Sequence, residues 1–204
     1  MTVPRPRVLI ADDELTARLL MRAALEKSGF NVDMAEDGEE ALHLFLGQPC
    51  DLVMLDVDMP GLDGYQVCAR LRRDVGEELP IVMVTGMDDL VSIERAYEAG
   101  ATDFIAKPIN WALIGHRARY LLRAAQVLRD LRQANARNTA ILNAIPDLMF
   151  ELDLEGRCLD CHSPRQDVLT PPSADFPGKT VAEVLPSEAA QVFLEALRVA
   201  DATG

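Results

Sequence analysis

The sequence predicts an α/β fold: a parallel sheet covered by helices on both faces, then a long helix, then a small α+β segment. Three observations carry this. Short, continuously apolar runs alternate with amphipathic stretches through the first half. Residues 117–145 contain no glycine or proline. Beyond Pro146 the pattern changes to an alternating hairpin and a proline-rich stretch.

The strands come first. Val8-Leu9-Ile10-Ala11, Leu52-Val53-Met54-Leu55, Ile81-Val82-Met83-Val84 and Phe104-Ile105-Ala106 are apolar throughout, and Val32-Asp33-Met34-Ala35 is a weaker run. Continuous rather than alternating hydrophobicity marks strands buried on both faces. Between them, Leu15, Leu19, Leu20, Ala23 and Ala24 suggest the inner face of a first helix, and residues 40–46, 65–73 and 90–99 suggest three more. Strand and helix in alternation give a parallel sheet. Gly29, Gly47 and Gly100 stand where these helices should stop.

A fifth helix begins after Pro108, with Asn110 as its N-cap. Residues 117–145 would extend it by roughly 40 Å at the usual helical rise. Leu121, Ala124, Leu128, Leu131, Asn135, Asn138, Leu142 and Ile145 alternate steps of three and four. That is a heptad seam, and a buried Asn at an a position such as Asn135 can fix register in a two-stranded coil. We therefore expect a homodimer through residues 114–145. The other reading is a long helix packed back on its own chain.

After Pro146, Leu148 to Leu152 reads as a strand, Asp153 to Gly156 as a turn, and Arg157 to Cys161 as the returning strand. Residues 164–179 are loop-like, and residues 187–200 form a helix with Val192, Phe193 or Leu194, and Leu197 inward. Two strands and a helix make a poor independent core. The expected organisation is thus residues 1–120 as a first domain, 121–145 as a helical linker, and 146–204 as a partial second domain.

Composition narrows the function. The 204 residues carry a formal net charge of −13, so the chain as a whole lacks the clustered positive charge that nucleic-acid binding requires. There is no membrane-length apolar run and no apolar signal-peptide core at the N-terminus. A cytoplasmic protein is expected, with Cys50, Cys68, Cys158 and Cys161 as thiols.

The chemistry lies where the strands end. The first strand runs into Asp12-Asp13, the third into Asp56, the fourth into Thr85 and the fifth into Lys107. In an open parallel sheet the functional crevice lies at the carboxyl ends of the strands. One edge would therefore collect three carboxylates, a hydroxyl and an ammonium. Carboxylates so crowded repel one another, and a divalent cation relieves the conflict. Mg²⁺ suits oxygen ligands from one or two carboxylates plus phosphate oxygens. A carboxylate can attack phosphorus to give an aspartyl phosphate. Lys107 and Thr85 can then neutralise and hydrogen-bond the transferred oxygens.

Asp12-Asp13, Leu55-Asp56-Val57-Asp58-Met59-Pro60-Gly61-Leu62-Asp63-Gly64, Val84-Thr85-Gly86 and Lys107-Pro108 together resemble the receiver domains of bacterial response regulators, over about residues 5 to 120. The resemblance implies a flavodoxin-like fold with strand order 2-1-3-4-5. It implies phosphorylation of Asp56 by a sensor histidine kinase or phosphotransfer protein, or by small phosphodonors. It implies Mg²⁺ held by Asp13, Asp56 and the main-chain carbonyl of Asp58, with help from Asp12. Lys107 and Thr85 would contact the phosphoryl group, with a cis bond before Pro108. Thr85 and Phe104 would form the conformational switch, Phe104 being the aromatic three residues before the lysine. Asp58 and Met87 match positions that tune dephosphorylation.

Other readings are weaker. Asp56-Val57-Asp58 is similar to the paired aspartates of haloacid-dehalogenase-like phosphatases, but those place the nucleophile after the first strand. Cys158-Leu159-Asp160-Cys161-His162 matches the C-x-x-C-H pattern of covalent haem attachment. That needs an export pathway, so the motif reads instead as a strand carrying two cysteines. Residues 138–204 resemble the start of a PAS sensory domain, on Ile145-Pro146-Asp147-Leu148-Met149-Phe150, Asp153-Leu154-Glu155-Gly156-Arg157 and Phe176-Pro177-Gly178-Lys179. Chains of this order often continue into a cyclic-di-GMP enzyme or a histidine kinase. The sequence therefore describes a non-enzymatic regulatory module, and the alternative is a receiver-like interaction scaffold that is never phosphorylated.

Overall fold

A computed structural model describes residues 4–86, 90–145, 149–153, 155–162, 176–184 and 186–203. The chain divides into two compact units, Met1–Leu131 and Arg132–Gly204.

The first unit holds β1 (Arg7–Ala11), α1 (Leu15–Lys27), β2 (Asn31–Ala35), α2 (Gly38–Gly47), β3 (Leu52–Asp56), α3 (Gly64–Val75), β4 (Ile81–Thr85), α4 (Leu90–Glu98) and β5 (Asp103–Ala106), followed by α5 (Trp111–Ala144). The five strands form one parallel sheet in the order β2-β1-β3-β4-β5. This is the flavodoxin-like arrangement that the receiver resemblance implied.

Burial explains why the runs are strands. Every residue of the central strands β3 and β4 is buried. Their side chains alternate between two cores. Leu9, Val53, Leu55, Ile81 and Met83 join Phe45, Val67 and Leu71 on one face of the sheet. Val8, Ile10, Leu52, Met54, Val82 and Val84 join Met21, Leu25, Ile114 and Leu121 on the other. Each such side chain contributes roughly 1.5–3 kcal/mol on burial. Gly29 and Gly100 adopt the positive φ that a helix-ending turn requires.

The helix faces differ in part from expectation. Helix α1 buries Ala17, Arg18, Met21 and Leu25, whereas Leu15, Leu19 and Leu20 are exposed. The inward stripe is set by the sheet and follows steps of four from Ala17. Leu15, Leu19 and Ala23 form the neighbouring stripe, which points out. Asn110 caps α5 as expected, its side chain accepting from the Ala112 N–H at 3.2 Å. Ile114, Gly115, Ala118 and Leu121 of α5 are buried in the first unit, so the heptad stripe is free for a partner only from Ala124 onward. Leu128 and Leu131 on that stripe are each 55% exposed. Among the described residues no helix is long and apolar enough to cross a membrane.

In the second unit, β6 (Met149–Leu152) and β7 (Cys158–His162) pair antiparallel, with α6 (Val181–Val184) and α7 (Ser187–Thr203) after them. Cys158, Phe176 and Val184 form a small core with Phe150, Leu152 and Cys161 around it. Phe193 of α7 meets Phe150 edge to face, at a centroid distance of 5.4 Å. Val192, expected inward, is exposed; the inner face of α7 holds the half-buried Phe193, Leu194 and Leu197. Both cysteines are free thiols. Burial raises the pKa of each, which keeps them protonated. Pro146, Asp147, Leu148, Leu154 and most of the proline-rich stretch lie outside the described residues, as does Met87.

Candidate functional site

The carboxyl edge of the sheet gathers the residues singled out above. Asp12 follows β1 and is wholly buried, Asp56 ends β3 at 3% exposure, and Thr85 ends β4, also buried. Asp13 is exposed beside them. Carboxylate oxygens of Asp12, Asp13 and Asp56 all lie within 4.8 Å of one another. Lys107, just past β5, reaches in from the other side. Its Nζ donates to Asp56 Oδ2 at 3.0 Å and to Asp12 Oδ2 at 3.2 Å.

The electrostatics follow from this crowding. Burial raises the Asp56 pKa to about 6, the nearby Asp12 and Asp13 charges add to that, and the Lys107 hydrogen bond opposes it. Burial alone would lower the pKa of the Lys107 ammonium. Its bonds to Asp56 and Asp12 outweigh burial and hold it above the ordinary value. The site thus sets one ammonium against three acids. A hard divalent cation with oxygen preference fits that donor set. Asp12, Asp13 and Asp56 are the side chains able to hold it.

The surrounding backbone fixes the geometry. The Val57 N–H donates to the Val84 carbonyl at 2.9 Å, and the Gly64 N–H returns to the Val57 carbonyl at 3.1 Å. Residues 57–63 therefore leave the sheet at Asp56 and come straight back to it. A Cβ at Gly64 would overlap the Asp56 main-chain oxygen, so glycine is required there. Asp58 lies on this loop with its side chain exposed and outside the carboxylate cluster. The Lys107 N–H donates to the Thr85 carbonyl at 2.7 Å, and the Lys107–Pro108 bond is cis. Phe104 is half-buried on β5, opposite Met83 in register.

Three residues escaped sequence reasoning. Arg18 is buried on α1 and donates to the Asp12 carbonyl, pinning the turn that carries the acidic pair. Its place among the inward positions Ala17, Met21 and Leu25 was the available signal. Tyr97 of α4 meets Phe104 edge to face at 6.2 Å. Arg95, also of α4, lies over the ring of Tyr65 on α3. No local pattern announces either contact.

The chain matches the family model described as response regulator receiver domain over residues 8–119. It is 38% identical over 126 residues to the probable transcriptional regulator ycf27 of Cyanophora paradoxa, covering 62% of this chain and 52% of that protein. It is 40% identical over 117 residues to the response regulator MprA of Mycolicibacterium vanbaalenii, covering 57% of this chain and 50% of that protein. The chain spans about half the length of these curated relatives. Among solved structures, it resembles a putative response regulator from Chloroflexus aurantiacus, with TM-score 0.56, 34% identity, and coverage of 59% of this chain and 99% of that one. It also resembles NtrX from Brucella abortus, with TM-score 0.60, 28% identity, and coverage of 64% and 30%. With this sheet order, this acidic edge and a family match over more than half its length, the chain belongs to the response regulator receiver domain family.

Proposed function

We propose that Asp56 is the phosphoacceptor of a two-component response regulator, taking its phosphoryl group from a sensor histidine kinase or phosphotransfer protein. One observation carries this reading: Lys107 Nζ bridges Asp56 and Asp12 inside a cluster of three carboxylates at the carboxyl edge of the sheet. An Asp56 carboxylate oxygen forms the new P–O bond while the donor's P–N bond breaks. The freed imidazole keeps the electron pair and takes up a proton. Lys107 supplies charge at an equatorial oxygen, and Thr85 supplies a hydroxyl at the neighbouring strand end. Mg²⁺, when bound, neutralises the oxygens of the transferred group. Asp13 and Asp56, the Asp58 main-chain carbonyl, and Asp12 in support would hold it.

Thr85 and Phe104 then act as the switch, with Tyr97 receiving the motion of the Phe104 ring. The division into a receiver of residues 1–120, a linker of 121–145 and a PAS-like segment of 146–204 belongs to this proposal. So does dimerisation along the linker, which the exposed Leu128, Leu131 and Leu142 support. A sensory role for the second unit rests on its resemblance to the start of a PAS domain. The signal would pass through the dimeric helix and the PAS-like segment to an output, either cyclic-di-GMP turnover or histidine-kinase activity. Two relatives are named as a transcriptional regulator and a response regulator, yet their similarity covers only about half their length. We assign no nucleic-acid contact to this chain. Incubation with acetyl phosphate and Mg²⁺ tests the central point: a single phosphoryl group should be gained at Asp56.

A further inference from the structure

Helix α4 is held to the molecule in an unusual way. Of its side chains among the described residues, only Ala96 is buried, whereas α3 buries Gly64, Tyr65, Val67, Cys68 and Leu71. Among the described side chains α4 thus has the least apolar anchorage of this domain's helices, and weakly anchored elements open more easily. Besides the edge-to-face contact of Tyr97 with Phe104 on β5, its seat includes polar contacts to the first turn of α3. The buried Tyr65 donates its hydroxyl proton to the Ser92 carbonyl at 3.3 Å. The Arg95 guanidinium lies 4.1 Å from the centroid of the Tyr65 ring. The same guanidinium reaches Asp63 Oδ2 at 3.4 Å, while Asp63 Oδ1 caps α3 by accepting from the Gln66 N–H at 2.8 Å. Asp63 and Tyr65 flank Gly64, which is packed against the Asp56 main chain.

Arg95 thus ties α4 to a helix start that is packed against the Asp56 main chain. The other end of the coupling is Thr85, which ends β4 just before α4 and lies one strand from Asp56. A phosphoryl group on Asp56 places new bulk and charge beside the end of β4. The contacts described belong to the form with an unmodified carboxylate. A ligand shifts such an equilibrium only through a difference between the two states, and these contacts contribute to that difference.

We propose that Arg95 is a positioning residue that latches α4 in the unphosphorylated seat and thereby restrains phosphoryl acceptance at Asp56. This rests on the phosphoacceptor reading above. An exposed ion pair together with a cation–π contact supports an effect of roughly three- to tenfold. The test follows phosphorylation of the full chain by acetyl phosphate and Mg²⁺ with intact mass, alongside the thermal midpoint. Arg95→Ala should be phosphorylated about three- to tenfold faster than wild type. Arg95→Lys, which keeps a cation over the Tyr65 ring, should fall between them. Tyr65→Phe, which removes only the hydroxyl contact to Ser92, should accelerate less than Arg95→Ala. If Arg95→Ala lowers the thermal midpoint but leaves the rate unchanged or slower, Arg95 is merely a structural contact and the latch is overturned. If the wild type itself gains no phosphoryl group, the phosphoacceptor reading fails first, and the latch falls with it.

Discussion

Helices α3 and α4 follow neighbouring strands, and each comes after a strand whose last residue belongs to the site. They are held in opposite ways. Helix α3 begins with a capping box between Asp63 and Gln66, sits through Gly64 on the Asp56 backbone, and buries an apolar stripe ending at Leu71. Helix α4 buries Ala96 and otherwise leans on Arg95, the Ser92 carbonyl, the half-buried Ile93 and the edge-to-face contact of Tyr97 with Phe104. The helix after the nucleophile's strand is anchored by apolar burial, and the helix after the hydroxyl's strand has little of it among the described side chains. A phosphoacceptor that signals needs both: fixed alignment for transfer, and one element free to respond.

Several measurements would break or sharpen that contrast. The largest effect is expected at Leu71, where Leu71→Ala should cost about 3 kcal/mol in urea unfolding, as core truncations do. Val91→Ala on the exposed face of α4 should stay within about 0.5 kcal/mol. Similar costs at the two positions would erase the contrast. Gly64→Ala should cost about 2 kcal/mol, because the added Cβ must push α3 off the end of β3. It should also slow phosphorylation, since the loop carrying the Asp58 carbonyl moves with it. Mg²⁺ at ten times its Kd should stabilise the wild type by about 1.4 kcal/mol. Asp13→Asn should abolish most of that gain, whereas Val91→Ala should leave it intact.

The titration of Asp56 gives a fourth check. Its folded pKa, near 6, lies above the ordinary value of 3.8. The fold therefore binds this proton more tightly than the unfolded chain does. Its stabilising contribution is complete below pH 3.8 and is lost as pH rises through about 6 in the absence of divalent cations. Measured against Asp56→Asn, the wild type should lose stability across that window, and Mg²⁺ should recover it at neutral pH. A flat difference would mean that burial does not hold the Asp56 pKa above its ordinary value. The smallest effect is expected for Phe104→Tyr, within about 0.5 kcal/mol, because the ring is only half-buried.

What was legible in the sequence was what depends on short-range chemistry. Buried parallel strands appear as unbroken apolar runs, and parallel topology forces their ends to one edge. Asp12, Asp13, Asp56, Thr85 and Lys107 could therefore be grouped before any contact was known. The Asn110 cap and the antiparallel hairpin of the second unit are also local, and both are present. What depends on the rest of the molecule was not legible. Leu15, Leu19 and Leu20 look like the natural inner face of α1, yet the sheet takes Ala17, Met21 and Leu25, and with them Arg18, whose charge is satisfied at the Asp12 carbonyl. Val192 misleads in the same way on α7. The Arg95–Tyr65–Asp63 contact joins two helices some thirty positions apart, through side chains that each look ordinary on an exposed helix.

The most direct test of the account is intact-mass spectrometry of wild type and Asp56→Asn after incubation with acetyl phosphate, with and without Mg²⁺. The wild type should gain one phosphoryl group, dependent on Mg²⁺ and absent from the variant. An equal gain by Asp56→Asn, or no gain by the wild type from either acetyl phosphate or a phosphohistidine donor, would contradict it.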